Sequence, residues 1–584
     1  MERKGGLKPA LKSSEICFAG LGATNQFKIG IRSMNNIDLN KNAVDADLMA
    51  QMVAETEKER AEFGHPETEP LGNVSKPDIP VYNEEDSTPQ LPIINVSENP
   101  MHVITDLVLE EHLSKTNLNI YQRNNYLVQI LRDDNGRPYI HEITNDQLRG
   151  ILDRVIHFEK TTSSGVDYTL PPTNIIRDIL SLKNYPDSIP QIRGIAESPV
   201  VRISGTIVCN PGYDSQSQYF YWPDKTIPSI DVSEHPTGGQ IRDSVDLLTD
   251  ILTDFPFVDN CSLCNAIALM ITPIVRPAID GIVPLALIES TQKGTGKGLL
   301  TSLIHLIATG KMPQTLTMPG SEGEIRRQIT SACTTGKQIR VYDNVDRIIN
   351  SPAFASALTT SEWADRTLGK TEIRSYPNNT TWIMNGNNIR LGGDISRRCY
   401  VIQLDPKNSR PWQRSDFKYK NLLLHIKKNR SALLSAILTL VRAWFDAGQP
   451  VADVPTMGSF EEWTRVVGGV LHNAGLVDFL SNLEILYQDA DDESNQYEHF
   501  LQAWHEHFGT REVTAKEICQ SRLVEFLPES VLGVAPRSGN LTQKVGKMLS
   551  KFAGTRFGPE GYHLVKLGFK NHSLIWQVKK EDNP

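Results

Sequence analysis

An α/β fold with a parallel sheet at its centre is what this sequence predicts, and three stretches predict it. The first runs from Leu285 to Gly310: an apolar tetrad, Leu285 to Ile288, then Gly294-Thr295-Gly296-Lys297-Gly298, then apolar residues from Leu299 to Ala308 at helical spacing. The second, Gln338 to Asn344, has a strand pattern closing on Asp343. The third, Thr380 to Met384, has a strand pattern that ends in Asn385-Gly386-Asn387-Asn388, and another strand follows from Cys399 to Leu404. Strand patterns alternating with helical ones are the mark of βαβ units.

The glycine loop is the chemical centre. A strand, glycine loop and helix in succession turn backbone N–H groups inward and add the positive end of the helix. They also set one lysine where the β and γ phosphates of a nucleotide lie. The candidate cradle is Thr291, Gln292, Lys293, Gly294, Thr295, Gly296, Lys297, Gly298 and Leu299, with Lys297 as the phosphate-holding lysine. The full pattern G-x-x-x-x-G-K-[ST] asks for Gly at Thr291 and a hydroxyl at Gly298, so the chain departs from it twice. On the loop alone, a plain glycine-rich turn is an equal reading. Without that hydroxyl, Mg²⁺ would rest on an acid elsewhere and on water, which its octahedral habit permits.

Asp343 is the candidate acid, at the C-terminal end of its strand, where open α/β sheets bind ligands. Asn344 stands where a second, water-activating acid is usual, and Asp346 and Glu289 are the substitutes. The amides of the run Asn385-Gly386-Asn387-Asn388 are candidates for orienting the attacking water, Asn387 and Asn388 first among them. The pair Arg397-Arg398 is either a surface charge pair or an arginine finger acting on a neighbouring subunit's nucleotide.

These four elements in this order resemble a ring-forming helicase ATPase of the AAA+ class, close in layout to superfamily 3 and to replication helicases of phages, plasmids and integrative mobile elements. The wording is closest to the helicase part of primase-helicase proteins: Tyr342-Asp343-Asn344-Val345, Ala357-Leu358-Thr359-Thr360, Trp363-Ala364-Asp365-Arg366-Thr367-Leu368-Gly369, Gly386-Asn387-Asn388 and Arg397-Arg398. The likeness runs from about Ile120 to Leu480. It implies a P-loop core with a helical lid, ATP and Mg²⁺ as cofactors, and a hexameric ring of this chain on single-stranded or forked DNA. It further implies a separately encoded primase as partner. Arg366, inside one of those blocks, is a second arginine candidate. The function expected is an ATP-dependent DNA helicase or translocase in replication of a mobile element. Two rivals stand beside it: a nucleotide-dependent DNA-binding initiator that does not unwind, and a protein-remodelling ATPase.

In chain order, 584 residues exceed one core, and 39% apolar with 22% charged residues is an ordinary globular composition. The net charge of −9 argues against a uniformly basic nucleic-acid binder but leaves room for a basic pore. No apolar run reaches the ~20 residues that cross a bilayer, and the N-terminus has no signal-like apolar core, so a cytoplasmic protein without a membrane partner is expected. Of seven cysteines only Cys261 and Cys264 have ligand spacing, and with no second pair they read as helix-buried thiols.

Residues 1–95 read as a poorly ordered segment, with a helical pattern over Asn35 to Arg60 and a Pro-rich acidic linker over Glu62 to Pro92. An accessory α+β domain is expected over 96–235. There Ile104 to Leu113 reads as an amphipathic helix, and Asn119 to Arg132 with Asp133-Asp134-Asn135-Gly136 as two strands about a turn. Its aromatics Tyr213, Tyr219, Tyr221 and Trp222 either stack bases or, the favoured reading, pack a small sheet.

The core spans 236–410, opening with helices over Asp243 to Phe255 and Asn260 to Thr272 that Arg276-Pro277 ends. Within it Glu322 to Ile329 is helical, with Arg326 and Arg327 read as solvated or, less favoured, as pore residues. A lid spans 411–487, with helices over Asn421 to Ala447 and Gly458 to Leu480, and Gln488 to Asn495 reads as a hinge. The last segment, 488–584, shows helical patterns over Phe500 to Phe508, Thr514 to Cys519 and Leu541 to Phe552, then strands Tyr562 to Lys566 and Leu574 to Val578 about a Gly568-Phe569-Lys570-Asn571 tip. That order predicts a winged helix. Between Arg511 and Asp582 twelve Lys or Arg stand against seven Asp or Glu, which fits phosphate contact by Lys544, Lys547, Lys551 and Arg556.

Overall fold

The computed structural model describes residues 91–584 apart from 225–229, 347, 367–371, 491, 533–540, 571–572 and 581–584. The expected helix over Asn35 to Arg60 and most of the linker lie outside the described residues.

After a short strand at Ile93–Asn95 and a helix from Met101, the accessory region forms an antiparallel meander of β1 (Ile120–Arg123), β2 (Tyr126–Arg132) and β3 (Pro138–Glu142). Three strands stand where two were expected. Asn124 and Asn125 both take left-handed backbone (φ 47° and 67°) and close a tight turn between β1 and β2. Helix α1 (Asn145–Val155) starts at a capping box in which Thr144 and Gln147 each satisfy the other's backbone N–H, and α2 (Thr173–Ser181) packs beside it. Beyond it a short sheet contains β4 (Gly194–Ala196) and Tyr219–Tyr221. Tyr219 and Tyr221 are buried there, Tyr213 donates its hydroxyl to the Gln191 carbonyl, and Trp222 lies under the Arg132 guanidinium. These aromatics pack a sheet, as the favoured reading expected. The helix from Met101 ends at Leu107 and widens into π geometry over Val108–His112.

Helices α3 (Gly238–Asp250) and α4 (Asn260–Val275) precede the core sheet. With its 3-10 extension, α4 is long and apolar enough to span a bilayer by length and composition, and 89% of that window is buried inside the protein. Both cysteines of interest are buried on α4, where burial pushes the Cys264 thiol up to about 12 and the Asn482 N–H donates to Cys261 Sγ.

The core is a mixed α/β unit around a five-stranded, all-parallel sheet. Its strands are β5 (Leu285–Ser290), β6 (Thr315–Leu316), β7 (Ile339–Val345), β10 (Thr381–Asn387) and β11 (Cys399–Leu404), in the order β6-β7-β10-β5-β11. Leu285 to Ile288 are buried on both faces, which is why this strand reads as a continuous apolar run. Helix α5 (Lys297–Thr309) follows β5 and α6 (Glu322–Thr335) precedes β7. Between β7 and β10 come α7 (Pro352–Ala357) and a hairpin of β8 (Glu362–Arg366) and β9 (Ile373–Pro377).

After the sheet the chain forms α8 (Leu422–Lys428) and α9 (Arg430–Asp446), two helices broken at Asn429 where one was expected. The next helical run covers only Glu461 to Asn473, with a π segment at Thr464–Gly468. These helices share one apolar cluster with α4, α5 and one face of the sheet; Trp463 in its middle donates its indole N–H to Thr272. Where a hinge was expected, residues 483–490 form α10 and 492–508 form α11.

The C-terminal unit has its own core, built around Phe500, Trp504, Leu549 and Trp576. It contains β12 (Val513–Thr514), α12 (Ala515–Cys519), α13 (Leu541–Phe552), β13 (Arg556–Phe557), β14 (Tyr562–Lys570) and β15 (Ser573–Lys579), in an antiparallel sheet of order β12-β15-β14-β13. Gly568, Phe569 and Lys570 belong to β14 itself, with a bulge at Lys566/Gly568, and not to the tip.

Candidate nucleotide site

After β5 the chain runs to the far edge of the sheet, steps back through β7 and β10, then crosses to β11 on the other side of β5. The connections that leave β5 and β10 therefore diverge, and the crevice beyond their carboxyl ends is where such sheets take ligands. Ser290 and Asn387 are register partners at that rim. The glycine loop rises from one and the asparagine side chain from the other.

Gly296 caps α5 in left-handed backbone (φ 94°), a conformation that favours glycine. Lys297 follows it, only 9% exposed. Its ammonium donates to the Gln292 carbonyl at 3.1 Å, Thr295 Oγ1 at 3.2 Å and Asn387 Oδ1 at 2.6 Å. Burial pulls its pKa down while Asp343 and Glu289 hold it up, so the lysine sits within the field of both acids. Among the described residues no atom stands within 4 Å of where a Cβ on Gly298 would lie, so their packing does not require glycine there.

Asp343 lies on β7 at a bulge, where the register to β10 shifts between Tyr342 and Val345. Asn344 takes left-handed backbone (φ 52°), and its N–H donates to Asp343 Oδ1 at 2.8 Å and to Asn385 Oδ1 at 3.2 Å. Gly386 is needed beside the bulge, since a Cβ there would stand 2.1 Å from the Val345 carbonyl oxygen. Asp346 is exposed just past β7, and Glu289 accepts from Gln403 Nε2 at 2.8 Å.

Asn385, read from the sequence among the amides that orient water, has a different place in the structure. It is part of β10 and not of a loop after it, it is 2% exposed, and it links the β7 bulge to Thr301 of α5, to which its amide donates at 3.3 Å. Asn388 takes left-handed backbone (φ 46°) and its N–H donates to the Ser290 carbonyl. The structure thus brings Lys297, Asp343, Asn387 and Asn388 to one rim.

It does not bring the arginines there. Arg397 and Arg398 immediately precede β11, at the opposite end of the sheet, because Cys399 pairs with Leu285 and Leu404 with Ser290. Six strand residues separate the two ends by about 20 Å. Arg397 is 72% exposed and pairs with Asp394, whose carboxyl it holds below the usual range. Arg398 is more buried, donating to the Ala355 carbonyl and, at 2.6 Å, to Asp394. Arg366 ends β8, next to undescribed residues; Arg326 pairs with Asp365 at 2.7 Å and lies over Trp363, while Arg327 pairs with Glu324.

In the C-terminal unit a groove runs between α13 and the strand pair β14/β15. Lys516, Lys547 and Lys551 line it together with Phe569, which is 72% exposed, and among the described residues no carboxylate lines it. Lys544 and Arg556 are not among them. The basic set is therefore smaller than expected on α13 and gains Lys516 from α12.

No family model matches the chain, and no curated protein matches it. Among solved structures, the apo C-terminal region of NrS-1 is similar over 77% of this chain and 95% of its own at 14% identity, with a TM-score of 0.33. A second structure of that region gives 77%, 96%, 14% and 0.34. SCCmec type IV Cch, described as an active helicase, is similar over 78% of this chain and 90% of its own at 12% identity, TM-score 0.32.

Proposed function

We propose that this chain is an ATP-hydrolysing helicase or translocase that works on DNA as a ring, in replication of a mobile element. The observation that carries the proposal is the Lys297 ammonium, buried in a glycine loop at the rim of a parallel sheet, tied to Asn387 on the neighbouring strand and facing Asp343 on the next.

The residues fit a nucleoside triphosphate with its magnesium. In the proposal Lys297 leaves Asn387 to hold the phosphates, and Asp343 holds the metal, whose charge screens the phosphate oxygens. Asn387, freed from the lysine, orients the attacking water, with Asn388 beside it. Arg397 is too far from its own loop to act there and is assigned to the loop of a neighbouring subunit; Arg398, tied to Ala355 and Asp394, positions that segment. The helices after the sheet, the lid of the sequence reading, share its apolar core, so the moving joint is placed at the subunit boundary.

We read the C-terminal unit as a winged helix whose basic groove contacts DNA phosphates, leaving the acidic remainder to keep contacts local. Gly298 and Asn344, standing in place of a hydroxyl and a second acid, favour one rival: an initiator that binds nucleotide and DNA without unwinding.

The test is ATP hydrolysis with and without single-stranded DNA. The proposal expects stimulation by DNA and loss of hydrolysis in Lys297→Ala. Hydrolysis indifferent to any polynucleotide points instead to a protein-remodelling ATPase, and absent hydrolysis with intact nucleotide binding points to the initiator.

A further inference from the structure

Six of the eight tryptophans are buried and Trp222 is partly buried; the eighth, Trp412, is 60% exposed. It lies against the glycine loop. A Cβ built on Gly294 would meet Trp412 Cβ at 3.1 Å and the indole Cε3 at 3.4 Å, so the ring rests its edge on the loop backbone and leaves much of its surface to solvent. Two residues along the loop the Phe255 ring stands 3.3 Å from where a Cβ on Gly296 would lie.

The segment holding Trp412 is anchored. The Asp405 N–H donates to the Pro256 carbonyl, Arg414 pairs with Asp254 at 2.8 Å, and Lys418 pairs with Asp250, so the stretch after β11 is fastened to the end of α3 and the turn that follows it. The 3-10 turn Pro411–Gln413 then presents the indole. Leaving so large a ring in water forgoes the free energy of burial, and an aromatic face at the lip of a phosphate cradle is the chemistry that recognises a nucleobase.

We propose that Trp412 is the base platform of the nucleotide site, stacking on the base of a purine nucleoside triphosphate whose phosphates lie in the Thr291 to Gly298 loop. This deepens the proposed function and rests on it. Stacking rewards π-surface and not a hydrogen-bond pattern, so the site takes ATP and GTP with similar affinity and favours both over CTP.

Direct binding by calorimetry of ATP and of inorganic tripolyphosphate to the full chain tests it, with Trp412→Ala and Trp412→Phe compared. The expected result is an ATP Kd about tenfold or more weaker in Trp412→Ala, largely restored in Trp412→Phe, with the tripolyphosphate Kd unchanged in both. An unchanged ATP Kd in Trp412→Ala overturns the inference while leaving the nucleotide site standing. A parallel loss of tripolyphosphate affinity also overturns it, showing that Trp412 only props the loop. If the wild-type chain binds neither ligand, the proposed function falls and this inference with it.

Discussion

Asn387 carries the tightest of the three bonds that hold Lys297, and that gives it two separable effects. Removing its amide frees the lysine for phosphate, so affinity for nucleotide holds or improves. It also removes a fixed dipole from the reacting water. Asn387→Ala is therefore expected to lower kcat by about 10²-fold, of the order seen when one preorganised donor is lost, with KM for ATP unchanged or reduced. Steady-state kinetics checks this, and a raised KM with intact kcat contradicts the assignment. Lys297 and Asp343 were legible in the sequence because glycine spacing and a strand-ending acid are local signals. The bracing role of Asn385 was not, because it depends on the β7 bulge that turns the Asn344 N–H toward it across strands. Trp412 was hidden for the same kind of reason: it meets Gly294 only through the fold.

At the scale of elements, α5 ties the site to the far end of the sheet. His305, near its C-terminus, is 9% exposed, and its Nδ1 lies 2.7 Å from the Lys311 carbonyl, to which the neutral ring donates. Burial pushes its pKa down to about 4. Between about pH 6.5 and 4 the unfolded chain takes up a proton that the folded chain refuses, so stability falls as pH falls through that window. With a difference of 2.5 between the two pKa values, the loss is on the order of 3 kcal/mol. His305→Gln, which keeps a donor but does not titrate, is expected to flatten the melting temperature between pH 6.5 and 4; an unchanged slope would place the acid sensitivity elsewhere.

The groove beside α13 yields a second test at this scale. If Lys547 and Lys551 each contact a phosphate, Lys547→Gln and Lys551→Gln each reduce the salt slope of duplex DNA binding by about 0.9, while Lys544→Gln, outside the groove, leaves it alone. Equal effects from all three would mean a diffuse basic surface. Helical periodicity made α13 and its lysines visible, but which lysine faces the groove depends on β14 and β15. The break between α8 and α9 escaped for a similar reason: Asn421 to Ala447 keeps its apolar rhythm through Asn429, and only the backbone shows the chain restarting there.

Across the whole molecule, the strand order fixes what one chain does alone. Lys297, Asp343 and Asn387 meet at one end of the sheet, and Arg397 and Arg398 stand at the other, about 20 Å away along β11. The parallel sheet was predictable from its strand patterns, and the order of its strands was not, since crossovers leave no local trace. That order turns the arginine pair from an ambiguous surface feature into a candidate for action between subunits. The measurement that tests this most directly is ATP hydrolysis by a mixture of Lys297→Ala with the double variant Arg397→Ala/Arg398→Ala, each inactive alone. In a randomly mixed ring about a quarter of the interfaces combine an intact loop with an intact arginine donor. The account predicts recovery of roughly that fraction of wild-type activity. A mixture as inactive as its parts, under conditions where the wild-type chain assembles and hydrolyses, would contradict it.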